Sequence, residues 1–79
     1  MSYRSQQLYF KILRIIDQYP EQELTPKDVQ LFLMRRGIQD RFANLKRIEK
    51  LLWKAAAESK VSVAWYVLTG ASFIKARTS

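Results

Sequence analysis

The stretch "LTPKDVQLFLMRRGI", residues 24–38, contains the signals of one complete short helix. Its start is marked by Thr25, which suits the N-cap, and by Pro26, which suits the first helical position. Asp28 stands three residues after Thr25, where a capping box places an acid or amide, although Glu is the usual residue there. These residues predict that a helix begins at position 26.

The same stretch also marks where this helix ends. Arg35 and Arg36 complement the negative C-terminal end of the helix dipole. Gly37 can adopt the left-handed conformation that commonly follows a helix. The sequence therefore predicts a helix over residues 26–36.

Apolar residues before this stretch recur at spacings of three and four, as on one face of a helix. This repeat covers residues 5–19 and ends before Pro20, which predicts a first helix over 5–19. A third helix is predicted over residues 41–58, with Asp40 as its N-cap. Its expected apolar stripe consists of Phe42, Leu45, Ile48, Leu52, Ala55 and Ala56.

The C-terminal stretch has a different composition, rich in β-branched and aromatic residues. Such residues favour strands, and the pair Thr69-Gly70 interrupts them as a turn would. We expect a β-hairpin with strands over residues 61–68 and 71–76. Trp53 and Trp65 are expected to pack beneath this hairpin.

Length and composition exclude several classes of protein. The 79 residues predict a single domain over 1–79. The sequence has no Cys and no His, which excludes disulfide frameworks, zinc fingers and Cys or His nucleophiles. Its seven acids are scattered and it has no glycine-rich phosphate loop, so we expect neither an enzyme nor a cofactor, metal or small-molecule ligand. No apolar run approaches the roughly 18–20 residues of a membrane span, so we expect a cytoplasmic protein without membrane contact.

Positive charge is concentrated in one third of the chain. The net charge is +7, from 14 Lys and Arg against seven Asp and Glu. Residues 35–60 contain eight of these cations and three of these acids. In the predicted third helix the cations gather on the side opposite the apolar stripe. A localised basic field of this kind attracts nucleic acid.

The order helix, helix, short glycine-containing turn, helix and hairpin resembles that of winged helix-turn-helix DNA-binding domains. "YFKILRIIDQYPEQELTPKDVQLFLMRRGI", residues 9–38, is similar to their first two helices, and "WYVLTGASF", residues 65–73, to their wing. The resemblance implies a mainly α fold with a C-terminal hairpin and a third helix that enters the major groove of double-stranded DNA. It further implies a small, nucleoid-associated transcription regulator, such as a repressor.

The resemblance also implies roles for individual residues. The outward face of the third helix supplies Lys46, Arg47 and Lys50, with Asn44 beside them. Lys46 or Arg47 can pair with guanine and Asn44 with adenine. Phosphate contacts are implied for Arg35, Arg36, Arg41 and Lys54, and contacts with the flanking backbone for Lys75 and Arg77.

Three apolar residues lie away from the predicted core stripes: Phe10, Leu31 and Met34. An exposed apolar surface of this kind marks a partner interface, and a homodimer would match a two-fold operator. The alternative is that helix 26–36 is enclosed within a single domain.

Two other interpretations stay open. "EKLLWKAAAESKVSVAWYVLTGASFIKA", residues 49–76, resembles the helical half of ribbon-helix-helix repressors. In that fold residues 41–47 form a strand and residues 61–76 are helical. In the second interpretation the protein is an interaction module that does not bind DNA and uses helix 26–36 as its contact surface.

Overall fold

The boundaries of the second helix are set by local hydrogen bonds, as predicted. The computed structural model describes residues 1–38, 41–66 and 70–75, without the side chains of Trp65 and Tyr66. The elements are α1 (Tyr3–Gln18), α2 (Pro26–Arg35), α3 (Leu45–Ala57), β1 (Ser62–Tyr66) and β2 (Gly70–Ile74). At the start of α2 the capping box is complete: Thr25 Oγ1 accepts from the Asp28 N–H at 3.1 Å, and the Thr25 N–H donates to Asp28 Oδ2 at 3.0 Å.

The end of α2 is a Schellman motif. Gly37 has φ of 81°. The Gly37 N–H donates to the Met34 carbonyl at 2.9 Å, and the Ile38 N–H donates to the Leu33 carbonyl at 3.0 Å. The predicted role of glycine at this position is confirmed.

The third helix begins four residues later than the sequence predicted. Asn44 is its N-cap, with φ of −82° and ψ of 164°, and Asn44 Oδ1 accepts the Arg47 N–H at 2.9 Å. Residues 41–43 form a turn and a bend before the helix. An amide caps a helix as well as a carboxylate does, so a second capping residue downstream of Asp40 sets the start. Asp40 itself lies outside the described residues.

This shift also changes the expected core stripe. Leu45 was placed in the stripe, but it is 42% exposed. It is the first residue of α3, and helical side chains tilt toward the N-terminus, so its side chain extends beyond the packed part of the helix. Leu51, which was not in the stripe, is buried instead.

The predicted hairpin is present. β1 and β2 are antiparallel, with a register that runs from Ser62 opposite Ile74 to Tyr66 opposite Gly70. The predicted residues 67–69 and 76 lie outside the described residues. The ribbon-helix-helix alternative is wrong, because residues 62–66 are a strand and residues 45–57 are a helix.

A third short stretch of backbone, which the sequence pattern does not predict, joins the sheet. Leu24 and Phe73 exchange two backbone hydrogen bonds of 2.8 Å across the free edge of β2. This bridge attaches the α1–α2 connection to the wing. Phe73 is fully buried, and its ring packs nearly perpendicular to that of Trp53 at a centroid distance of 5.2 Å. The predicted packing of Trp53 under the hairpin is confirmed.

The core lies between the three helices and the inner face of the wing. Its most buried apolar side chains are Ile12, Ile15, Ile16, Val29, Leu33, Ile48, Leu52 and Phe73. α1 packs against α3: Arg4 is near Phe42, just before α3, and Tyr9 contacts Glu58, just after α3. The predicted fold class, three helices with a C-terminal hairpin in the winged-helix arrangement, is confirmed. None of the described helices is long and apolar enough to cross a bilayer.

Candidate nucleic-acid interface

The first two turns of α3 present a basic, solvent-facing surface. Lys46 and Lys50 are exposed and lie four residues apart, on the same face of the helix. Together with Asn44 and Arg47 they line a shallow depression of about 310 Å³. The free N–H groups at the start of a helix add partial positive charge at the same end. The predicted residues Asn44, Lys46, Arg47 and Lys50 are therefore brought together.

Within this surface, Arg47 is held against the chain rather than extended. Its guanidinium carbon lies 3.8 Å from the centre of the Phe42 ring, and Nη1 donates to the Phe42 carbonyl at 2.9 Å. Its side chain is half-buried. To pair with guanine, Arg47 must break both contacts with Phe42. Its base contact remains a prediction, and forming it would cost the free energy of these two contacts.

Arg4 joins the same cluster from α1. Its guanidinium carbon lies 4.3 Å from the centre of the Phe42 ring, so two arginines share one aromatic side chain. Arg4 is not among the residues that the sequence pattern indicates for DNA binding. No local pattern reveals this contact, because the two residues are separated by almost half of the chain and meet only when α1 packs beside α3.

Asn44 is occupied by its capping role. Beyond the bond from the Arg47 N–H, its Nδ2 donates to the Arg41 carbonyl at 3.4 Å. A bidentate contact to adenine uses the same oxygen and nitrogen, so it competes with the cap. The predicted adenine contact remains a prediction. Arg41 is exposed in the turn before α3, where its side chain can extend toward a phosphate.

A larger open groove, of about 590 Å³, continues from α3 to the first turn of α1. It is lined by Met1, Ser5, Arg47, Lys50, Leu51, Trp53 and Lys54. Lys54 lies at its far end, where its ammonium is 3.0 Å from Glu58 Oε2. The positive charge of Lys54 is thus partly balanced by an acid of its own helix terminus.

Glu58 connects this end of α3 to α1. The Tyr9 hydroxyl donates to Glu58 Oε1, and the Lys60 ammonium lies 3.6 Å from the same oxygen. The hydrogen bond from Tyr9, followed by that from Lys54, lowers the pKa of Glu58 to about 2. Burial of the Tyr9 ring, followed by its bond to Glu58, raises the pKa of Tyr9 to about 12. At neutral pH the acid is therefore ionised and the phenol is protonated.

Three of the predicted cations lie near the other end of α1. Arg36 Nη2 donates to Gln18 Oε1, and Lys75 pairs with Asp17. Gln18 follows Arg4 by 14 residues, which is about 21 Å along a helix. Arg35 is exposed beside Arg36. The structure therefore separates these cations from the surface at the start of α3.

Lys75 follows the end of β2 at the open end of the hairpin, five residues beyond Gly70. That distance is about 17 Å along a strand, so Lys75 lies at the base of the wing rather than near its turn. Arg77 lies outside the described residues. Contacts of Arg35, Arg36, Lys75 and Arg77 with DNA remain predictions.

The three predicted interface residues are all exposed. Phe10 is 52% exposed, Leu31 47% and Met34 44%. Phe10 lies on α1, and the other two lie on α2. Their exposure agrees with the view that helix 26–36 is not enclosed within the domain, and their use as an interface stays a prediction.

The fold has a counterpart among solved structures. The chain is similar to a ferric uptake regulator from Francisella tularensis, solved with iron, with a TM-score of 0.73 and 13% sequence identity. The similarity covers 90% of this chain and 52% of the regulator chain, so this protein spans about half of its counterpart.

The iron in that regulator does not imply an iron site in this chain. The sequence has no His or Cys, and residues 1–38, 41–66 and 70–75 contain no group of three acidic side chains that could hold a metal ion. No family model matches the sequence, and no curated protein matches it. At this identity the comparison establishes the fold: the chain has the architecture of the regulator's corresponding half.

Proposed function

We propose that the protein is a small transcription regulator that binds double-stranded DNA with the start of α3 in the major groove. The observation that supports this most directly is the exposure of Lys46 and Lys50 on one face of α3, with the start of the helix beside them. An α-helix fits the major groove, and the first residues of such a helix reach the base edges. A location at the nucleoid follows from this function.

The surrounding charges favour an anionic partner. Arg41 is exposed just before α3, and Arg4 lies beside Phe42 at the neighbouring end of α1. Together with the lysines, these cations lie around the start of α3, which suits contacts with phosphates. Phosphate contacts orient a protein on the duplex without reading its sequence. The structural similarity to half of a ferric uptake regulator also supports the proposal, because the same fold occurs in a regulator.

The first test is a titration of the protein against random-sequence duplex DNA at two salt concentrations. Neutralising four phosphates gives a slope of about −3.6 for log K against log salt, so affinity should fall roughly 150-fold between about 50 and 200 mM salt. The absence of binding at the lower salt concentration would refute the proposal. Selection from random oligonucleotides then supplies the preferred site.

A pair of matched variants tests whether α3 is the reader. Lys46→Ala with Lys50→Ala should reduce affinity for the selected site by about 5- to 150-fold, the range expected when about 1–3 kcal/mol of contact is lost. Lys11→Ala with Arg14→Ala removes the same charge from exposed positions of α1 and should have a much smaller effect. Equal losses in both double variants would show that net charge alone determines binding.

A second candidate function rests on the exposed apolar residues of α2. Leu31 and Met34 form a surface for another protein, and a second copy of this chain is the partner that a two-fold DNA site requires. Leu31→Glu with Met34→Lys should convert a dimer to a monomer, measured by analytical ultracentrifugation. An unchanged assembly state would exclude this surface as the dimer contact. If the wild-type protein does not bind DNA, a role as an interaction module through α2 becomes the leading explanation.

A further inference from the structure

Leu45 occupies an unusual position for a large apolar side chain. It is the first residue of α3, it is 42% exposed, and it stands between the capping Asn44 and the exposed Lys46. Burial in the core does not explain it, because the buried residues of this helix are Ile48, Leu51, Leu52 and Ala55. Its side chain extends from the end of the helix that the proposed function places deepest in the major groove.

The neighbouring charges indicate which part of DNA this side chain would meet. Lys46 and Lys50 share one face of α3, whereas Leu45 and Glu49, also four residues apart, share the adjacent one. Glu49 is exposed, and a carboxylate repels phosphates. The face that contains Leu45 therefore suits base edges better than the sugar-phosphate backbone.

Only one base offers an apolar group in the major groove. Thymine presents its C5-methyl group there, whereas the other base edges offer hydrogen-bond donors and acceptors. A leucine cannot satisfy those donors and acceptors, but it can bury a methyl group.

We propose that Leu45 is a specificity-determining residue that contacts the C5-methyl group of one thymine. This inference rests on the proposed function, since it requires α3 to lie in the major groove. The expected preference is small but measurable. Burying one methyl group is worth about 0.8 kcal/mol, which corresponds to roughly a 4-fold change in affinity.

The test removes single methyl groups from the DNA and compares the effect in the wild-type protein and in Leu45 variants. In the selected duplex, each thymine is replaced in turn by deoxyuridine, which lacks only the C5-methyl group. We expect the wild-type protein to bind about 4-fold more weakly when one particular thymine is replaced. Leu45→Ala should bind both forms of that duplex equally, whereas Leu45→Met, which keeps an apolar side chain, should retain the preference.

Leu13→Ala is the control, because it is the same substitution at a half-buried position of α1 that belongs to neither proposed contact surface. It should leave the preference for thymine unchanged. Circular dichroism of each variant confirms that the helices are intact before binding is measured.

The outcomes separate this inference from the proposed function. If the wild-type protein binds its site but no deoxyuridine replacement weakens binding, the inference fails and DNA binding by α3 stands. The same holds if Leu45→Ala keeps the preference, or if Leu13→Ala also loses it. If the wild-type protein binds no duplex at all, the proposed function fails first, and the role of Leu45 fails with it.

Discussion

Replacing Arg47 by Ala should destabilise the fold as well as weaken DNA binding. Its guanidinium stacks on Phe42 at 3.8 Å and donates to the Phe42 carbonyl at 2.9 Å. A partly exposed cation–π contact contributes about 0.5–1 kcal/mol, and a hydrogen bond contributes about 0.5–1.5 kcal/mol net. Because the two contacts share one side chain and are not fully additive, we expect a loss of about 1.5 kcal/mol.

This loss is large for a chain of 79 residues. One kcal/mol shifts Tm by about 4–8 °C in a domain of this size, so Arg47→Ala should melt about 6–12 °C below the wild type. Lys46→Ala removes an adjacent exposed charge and should stay within about 0.5 kcal/mol of the wild type. Arg47→Lys should not restore stability, because an ammonium lacks the planar group that stacks on the ring and bonds the carbonyl together.

The assay is thermal unfolding followed by circular dichroism, together with urea denaturation at constant temperature. A double-mutant cycle with Phe42→Leu isolates the stacking contribution, since this substitution keeps the backbone carbonyl that Arg47 bonds. A Tm for Arg47→Ala within 1–2 °C of the wild type would contradict the reasoning. It would show that the side chain is extended in solution and available to a base.

Three further changes test other parts of the structure. Ser59 follows α3 with φ of 60°, a conformation that glycine adopts at less cost, so Ser59→Gly should raise stability by about 0.5–1 kcal/mol, measured by urea denaturation. Because the pKa of Glu58 is lowered to about 2 from 4.5, its contribution is complete above pH 4.5 and is lost as pH falls toward 2. Glu58→Gln should therefore flatten the acid side of the stability profile, measured by urea denaturation at each pH. Arg35→Ala with Arg36→Ala tests their predicted phosphate contacts, and the salt slope of DNA binding should fall by about 1.8 if both contact phosphates. A change of less than about 0.5 would show that these residues, which lie near the end of α1 far from the start of α3, contact none.

The sequence was sufficient where a boundary depends on residues that are adjacent in the chain. α2 is the clearest case, because Thr25, Asp28 and Gly37 form their hydrogen bonds within the helix ends themselves. The predicted start of α3 was wrong because the local signals there were ambiguous. Two good capping residues, Asp40 and Asn44, stand one turn apart, and propensity alone does not choose between them.

Features that depend on distant residues were not predictable from local patterns. The bridge between Leu24 and Phe73 joins two segments almost fifty residues apart, and the segment around Leu24 shows no strand pattern. The spatial grouping of the cations also depended on contacts between distant residues. Counting cations along the chain grouped Arg36 with Lys46, whereas the packing of α1 places the Arg36 guanidinium beside Gln18.

The cations near the start of α3 are therefore of two physical kinds. Arg47 is already ordered by Phe42, so it loses little conformational freedom on binding but must give up existing contacts to reach a base. Lys46 and Lys50 are exposed, so each must lose side-chain freedom worth up to about 2 kcal/mol when it is fixed on DNA. A flexible ammonium suits phosphates and alternative base contacts, whereas a fixed guanidinium positions the helix that presents it. If α3 binds DNA as proposed, Arg47 would hold the orientation of α3, Lys46 and Lys50 would make adaptable contacts with phosphates and bases, and Leu45 would distinguish one DNA site from another.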